Sequence, residues 1–312
     1  MSLCEVRVPT YRRPQYLKRA LESLIAQDRL DWSAIVMDDS PEQDAKDVVN
    51  SFKDDRILYS PNSRNLGSAA NLDRAFQSNS FVGRTYACVL EDDNWLFPSF
   101  LSENICALED NKVEILLRNQ EVRLQNNPYV ATARTTRGSC LLPKKYTPIE
   151  LQSCVFLCEG ISNGGLFWKN SLNSDLKVGD EVKDAGLQEY CRTLQIIDNL
   201  SFESKPLSCW LEMPISSSLR DPVNNRIFGR GVQSVKQHVI YKHGKNIIAE
   251  AQNNSVTLDK VKAFEHSLLD ALFLNHDFQF LNRFEILKRY IKSYAKHKLV
   301  KDPLNEYFAQ SS

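Results

Sequence analysis

Three consecutive acids, Glu91, Asp92 and Asp93, close an apolar run and open onto aromatics in the stretch VLEDDNWLFPSFL, residues 89–101. Like charges this close repel one another and are costly to desolvate, so they need either a counter-charge or a solvated turn. A second acid pair, Asp38 and Asp39, ends the apolar segment SAIVM. If the two segments are neighbouring strands, Asp39 and the triplet face a shared crevice. Hard carboxylate oxygens there suit Mg²⁺ or Mn²⁺, and such an ion holding a diphosphate supplies the positive charge the acids require. A solvated acidic turn is the bland alternative, and position at strand ends weighs against it.

The elements that must position these acids follow from periodicity. The first hundred residues alternate short apolar runs with helical stripes, the mark of βαβ units and a mainly parallel sheet. CEVRV predicts a first strand, and Pro14 opens a helix whose stripe is Tyr16, Leu17, Ala20, Leu21, Leu24 and Ile25. SAIVM, RILYS and TYACVL predict three more strands, separated by a helical stretch with Val48, Val49 and Phe52, and by the polar loop NSRNLGS leading into a helix over AANLDRAF. The acid triplet therefore falls at the C-terminal end of a strand, where ligands bind in open α/β sheets. A helix over FPSFLSENICAL and a strand over VEILLRN come next. Beyond Gln125 the pattern blurs into strand candidates at SCVFLC and GGLFW, a helix at AGLQEYCRTL, a polar loop SSSLRDPVNNRIFGRG, and a helical remainder from about Val235.

A chain of 312 residues holds about two domain-sized units, or one α/β core with an appended segment. Its 39 basic residues balance 39 acidic ones, which argues against a nucleic-acid footprint. MSLCEVRVPTY lacks the basic and apolar regions of a signal peptide, and no run of about 18 apolar residues occurs, so a cytoplasmic protein is expected. The eight cysteines are scattered without CxxC spacing, several within apolar runs, and read as core thiols. Cys154 and Cys158 lack the histidine partners of a zinc site.

The segments VRVPTYRRPQYLKRALESLIAQ, VMDDS, NLGSAANLDRAF and VLEDDNWLFPSFL, in that order and spacing, resemble the nucleotide-binding half of family 2 glycosyltransferases of the GT-A fold. The resemblance covers residues 4 to 120 well and 155 to 200 weakly. It implies an α/β fold of GT-A type, a mainly parallel sheet flanked by helices, over residues 1–220. Residues 1–120 would bind the nucleotide sugar, 121–220 would form the acceptor side, and 221–312 would add a loop and a helical extension. The implied activity is inverting, metal-dependent transfer of a sugar from a nucleotide donor, UDP-linked, to a saccharide or lipid-linked saccharide, by analogy in surface polysaccharide biosynthesis.

The resemblance also implies roles for single residues. Pro9, Thr10 and Tyr11 would contact the nucleotide, with the Tyr11 ring available to stack on the base. Asp39 would accept from a base imide, a contact that favours uracil or thymine. Asp92 would sit near the ribose, and Asp93 would ligate Mn²⁺ or Mg²⁺ bridging the diphosphate; Asn94 stands where a further acid is commoner. Asn65 and Gly67 belong to a loop that turns tightly or approaches the ligand. Such a transfer needs a stabilised leaving diphosphate and a base for the acceptor hydroxyl, with an oxocarbenium-like transition state between them. The family's usual Glu-Asp pair at the start of the helix in GDEVKDAGLQEYCRTL is missing. Asp184 is the candidate base, with Asp180, Glu181 and Glu189 as substitutes, although each acid equally suits a helix start or a solvated face. Arg64, Arg220, Arg226 and Arg230 are candidates for phosphate contact, and Trp95 and Trp168 for a sugar face or the core. The five histidines receive no role.

Phe280, Phe284, Leu287, Ile291 and Tyr294 keep helical spacing amid an excess of basic residues. That pattern fits peripheral contact with an anionic membrane, or a helix packed on the catalytic domain or on a second subunit as a homodimer, and the packed reading is preferred. Among rivals, a sugar-nucleotide pyrophosphorylase would need a Gly-rich basic loop where PTYRRPQYL stands, and a dehydrogenase a GxGxxG after a strand. A degenerate transferase that binds nucleotide or glycan, or scaffolds an assembly, stays open because the base motif is irregular.

Overall fold

A computed structural model describes residues 3–213, apart from Ser139 and Glu159, together with 222–254 and 300–310. The first part follows the predicted alternation: β1 (Cys4–Thr10), α1 (Pro14–Ile25), β2 (Trp32–Asp38), α2 (Ala45–Phe52), β3 (Ile57–Pro61), α3 (Ser68–Arg74) and β4 (Tyr86–Val89). β1 lies between β2 and β4, parallel to both, with Cys4 opposite Trp32 on one side and Tyr86 on the other. Every residue of β1 is buried. Cys4, Val6 and Val8 alternate onto the face that packs in one core with Leu17, Leu21 and Leu24 of α1.

Glu5 and Arg7 share the opposite face of β1, and both are fully buried. A buried ion pair survives only when its remaining donors and lone pairs are satisfied. Arg7 Nε donates to Glu5 at 2.7 Å and Nη1 to the Ala75 and Gln77 carbonyls, while Glu5 accepts from Ser80 Oγ and the amides of Phe81 and Val82. The pair thereby pins the chain that joins α3 to β4.

The second part adds β5 (Trp95–Leu96), α4 (Phe100–Asn111), β6 (Ile115–Arg118), β7 (Glu121–Leu124), β8 (Lys145–Tyr146), α5 (Pro148–Ser153), β9 (Leu166–Lys169), α6 (Ala185–Gln195), β10 (Leu200–Glu203) and β11 (Ser208–Glu212). The described strands form an eight-stranded, mostly parallel sheet ordered β3-β2-β1-β4-β9-β6-β10-β8, and a three-stranded sheet ordered β5-β11-β7. β9 runs antiparallel to both neighbours, β4 and β6. Its reversal brings the start of β9, where the SNGG turn stands, beside the end of β4, where the acids stand. Among the described residues, α7 (Pro222–His243), α8 (Lys245–Asn254) and α9 (Asn305–Gln310) follow. Val235, Val239, Ile247, Leu304 and Tyr307 of this part share a core with Val155, Leu187 and Cys191.

Three sequence expectations are corrected. SCVFLC is not a strand: α5 ends within it and a 3₁₀ turn continues over Cys154–Phe156. A capping box starts that helix, Thr147 accepting from the Glu150 amide while Glu150 accepts from the Thr147 amide, with Pro148 in the first turn. Residues 179–184 precede α6 as a loop, because Asp184 caps the helix. The latter half of SSSLRDPVNNRIFGRG is helical, opening on Pro222, so Arg226 and Arg230 lie on α7. Arg220 and the stripe from Phe280 to Tyr294 fall outside the described residues. All eight cysteines are free, and Cys4, Cys88, Cys154, Cys191 and Cys209 are buried. Among the described residues no helix is long and apolar enough to cross a membrane.

Candidate active site

Parallel pairing sets the C-terminal ends of β1 and β4 side by side, and a cavity of about 430 Å³ opens there. Pro9, Thr10, Tyr11 and Arg13 line one wall, Ser68, Asn71 and Leu72 another, and Glu91, Asp92 and Asp93 the floor, with Ala185 and Trp210 to Met213 completing it. Tyr11 is 41% exposed, with the Arg12 guanidinium 5.2 Å from its ring centre.

Each acid on the floor is held differently. Asp92 is buried, and its Oδ2 accepts from Thr10 Oγ1 at 2.8 Å. Asp93 Oδ2 accepts from Arg13 Nη1 at 2.8 Å, and the same nitrogen lies 3.4 Å from Asp92 Oδ1. Glu91 accepts from Asn94 Nδ2 at 2.8 Å, so the residue standing where a further acid is commoner serves the triplet as a donor. Arg19 Nη2 donates to the Asp93 carbonyl at 2.6 Å, its guanidinium resting 4.2 Å from the centre of the Trp95 ring. Trp95 thus braces the acid loop, and Trp168 is core, stacked on Phe76.

All three carboxyls hold their protons more tightly than free ones, chiefly because burial desolvates them. Desolvation, with the charges of Asp93, Glu189 and Asp92, pushes the Glu91 carboxyl up to about 8. Desolvation and Asp93 push Asp92 up to about 6 against the pull of Arg13 and Thr10. Desolvation raises Asp93 as well, opposed by Arg13. An added cation therefore finds desolvated oxygen donors whose charge Arg13 and Arg19 do not fully offset. Among the described residues no group of three or more His, Cys, Asp or Glu forms a metal cage. Mg²⁺ and Mn²⁺ also bind through one or two carboxylates completed by substrate phosphates and water, and Asp92 and Asp93 on an open floor fit that mode.

Asp39 is buried in a loop anchor beside this cavity. Its carboxylate accepts from Leu66 N at 2.7 Å, Gly67 N at 2.9 Å and Asn62 Nδ2 at 2.7 Å, and Asn65 Nδ2 donates to its carbonyl. A carboxylate offers about four acceptor sites, so this one retains room for a single further donor. Gly67 takes φ +86°, which glycine adopts without strain, and lines a smaller cavity of about 200 Å³ with Gly179 and Asp180. Asp39 and Asn65 line neither cavity.

Of the acids weighed as a base, Asp184 caps α6 by accepting from Leu187 N at 3.0 Å, and its neighbour Ala185 lines the main cavity. Glu189 accepts from Asn163 N at 2.9 Å and pairs with Arg137 at 3.3 Å. Glu181 accepts from Gln310 at the surface.

Sequence reading missed Asn71 and the pair Asp73–Arg192. Asn71 Nδ2 donates to the Thr10 and Met37 carbonyls, tying α3 to the ends of β1 and β2. Asp73 and Arg192 meet at 2.8 Å with side chains 1% and 0% exposed. Asp73 also accepts from the amides of Val178 and Gly179, and Arg192 donates to Leu176 O and Asn163 Oδ1 while lying 3.7 Å from the Phe76 ring centre. This pair holds the loop that runs to Asp184. The available signal was a charge on the apolar face of each helix, but no spacing rule joins positions 119 residues apart.

The family model described as Glycosyl transferase family 2 matches residues 5–162, just over half the chain. The chain is 32% identical over 114 residues to "Uncharacterized glycosyltransferase MJ1057" of Methanocaldococcus jannaschii, covering 35% of this chain and 38% of that one. It is 26% identical over 157 residues to the UDP-Glc:alpha-D-GlcNAc-diphosphoundecaprenol beta-1,3-glucosyltransferase WfgD of Escherichia coli, covering 50% of this chain and 58% of that one. The chain thus spans between about two fifths and three fifths of these curated relatives. Among solved structures, S. aureus TarS 1–349, in complex with UDP-GlcNAc, superposes with a TM-score of 0.58 at 17% identity over 87% of this chain and 80% of that one, a likeness of fold.

Proposed function

The chain belongs to glycosyl transferase family 2, and from that premise we propose that it transfers a sugar from a UDP-linked donor to a saccharide or lipid-linked saccharide, with inversion at the anomeric carbon. The observation that carries this reading is the floor of the main cavity, where Asp92 and Asp93 stand beside Thr10 and Tyr11 with raised proton affinity and a single paired cation. UDP as the carrier and a lipid-linked acceptor are supported by the name of the relative WfgD.

In this reading Tyr11 stacks on the base and Asp92, fixed by Thr10, faces the ribose, while Asp39, which lines neither cavity, holds the loop at Leu66 and Gly67 beside them. Asp93, with Asp92 beside it, would hold Mg²⁺ or Mn²⁺, which when bound would supply Lewis-acid stabilisation of the departing diphosphate. The acceptor oxygen forms its bond to the anomeric carbon as the bond from that carbon to the diphosphate oxygen breaks. The hydroxyl proton passes to a carboxylate on the acceptor side. Asp184, adjacent to the cavity wall at Ala185, is assigned that role.

Calorimetric titration with UDP, GDP and dTDP, each with Mn²⁺ and with chelator, tests the donor site. UDP is expected to bind only with Mn²⁺, and Asp93→Ala to weaken it about a hundredfold, since a metal ligand contributes several kcal/mol. Failure of every nucleotide to bind would remove the basis of the proposal.

A further inference from the structure

Arg13 is placed against three local preferences. Arg12 before it takes φ +52°, a left-handed conformation that L-residues adopt only at a cost. Arg13 itself is the N-cap of α1, where Ser, Thr, Asp or Asn would accept from the first turn, and its side chain makes no cap hydrogen bond. Its charge also stands at the helix end that already carries the positive pole of the backbone dipoles. The contacts that offset these costs lie across the cavity, at Asp93 Oδ2, 2.8 Å away, and Asp92 Oδ1, 3.4 Å away.

The neighbouring arginines are committed elsewhere. Arg12 pairs with Glu42, outside the cavity, and Arg19 holds the Asp93 carbonyl, not its carboxylate. The Arg13 side chain is 43% exposed, so nothing encloses it on its acids.

We propose that Arg13 is a built-in counter-ion which a divalent cation must displace from Asp93, and that the released guanidinium then pairs with the donor's diphosphate. The inference rests on Asp92 and Asp93 being the donor site. A cation arriving alone strands the guanidinium at a helix N-terminus, where it is disfavoured. A cation arriving with a diphosphate leaves every charge paired, because the phosphates accept both the ion and the guanidinium, a partnership arginine's planar fork suits. Metal and nucleotide thus bind as a coupled pair, each strengthening the other by the same factor.

The test measures Mn²⁺ binding by electron paramagnetic resonance of the free ion, with and without saturating UDP, for the full chain and its Arg13→Gln and Arg13→Lys variants. The wild type is expected to bind Mn²⁺ weakly alone and at least about tenfold more tightly with UDP. Arg13→Gln should bind Mn²⁺ alone about tenfold more tightly than wild type and lose most of the UDP coupling, whereas Arg13→Lys, still cationic, stays near wild type. Unchanged or weaker Mn²⁺ binding by Arg13→Gln without nucleotide overturns the proposal, and if Mn²⁺-dependent UDP binding persists the donor-site reading stands. Absence of both Mn²⁺ and UDP binding in the wild type overturns the two together.

Discussion

Arg192–Asp73 and Arg13–Asp93 have the same separation, 2.8 Å, and opposite characters. The first is sealed between α3 and α6, with both partners bonded to backbone groups of the loop before Asp184 and an aromatic ring beneath the guanidinium. The second spans an open cavity, and its guanidinium has contact with acids and solvent. Distance therefore does not tell a structural pair from an exchangeable one. Burial and the saturation of the remaining donors and lone pairs do, because breaking a sealed pair strands a charge that water cannot reach.

The largest expected effect breaks the sealed pair. Arg192→Met leaves the Asp73 carboxylate buried without its cation and is expected to cost about 3–5 kcal/mol in chemical denaturation, whereas Arg13→Gln should shift stability by about 1 kcal/mol or less. Equal losses in the two variants would erase the distinction between the pairs.

A smaller effect sharpens the open side. Glu91 at about 8 and Asp92 at about 6 bind protons more readily in the folded chain than the ordinary carboxylates of the unfolded one. The folded state is therefore favoured below the ordinary carboxylate range, and that advantage is lost as pH rises through about 6 and then about 8. Thermal melting of the metal-free protein should fall across this interval, with Glu91→Gln removing the upper part of the fall. Mn²⁺ affinity should rise over the same interval, because protons compete for the same oxygens. A profile that Glu91→Gln leaves unaltered would contradict the assignment.

The smallest expected change in stability separates two roles of one residue. Asp184→Ala should cost about 1 kcal/mol through loss of the helix cap, while Asp184→Asn, an equally good cap, should cost almost nothing. If Asp184 is the base, both variants lose sugar transfer by about 10²–10⁴-fold with UDP affinity intact. Full activity in Asp184→Asn would move the role to another acid, Glu189 foremost.

The donor half was legible because β1, β2 and β4 are short, mostly apolar strands buried along their length, bounded by Pro14, Gly67 and strand-end acids. Thr10, Tyr11, Asp92 and Asp93 met as expected, since parallel register alone brings strand ends together. Asp39, Asn65 and Gly67 proved to be one hydrogen-bonded loop, a relation that residue types did not disclose. The acceptor half was obscure for a different reason. β7, β10 and β11 are four or five residues long and find partners far away in sequence, Cys209 lying opposite both Trp95 and Glu121. At SCVFLC, apolar residues fit either period, and the deciding signal was the upstream Thr147–Glu150 box. The bend at Arg12 that aims Arg13 has no counterpart in residue preference, since arginine rarely adopts it.

The reversed strand β9 also fixes an order of assembly. β1, β2, β3 and β4 find all their mutual strand partners within residues 4–89, although the core under them also takes Phe100, Leu108 and Phe167. β6 pairs with β9 and not with β4, so it is joined to these strands only through residues 166–169, which are synthesised after it. Until they emerge, β4 and β6 each present an open hydrogen-bonding edge, the kind of surface to which foreign strands adhere. The sheet is completed by a late strand slotting between two early ones, and the interval before its arrival is when the nascent chain is most exposed to misassembly.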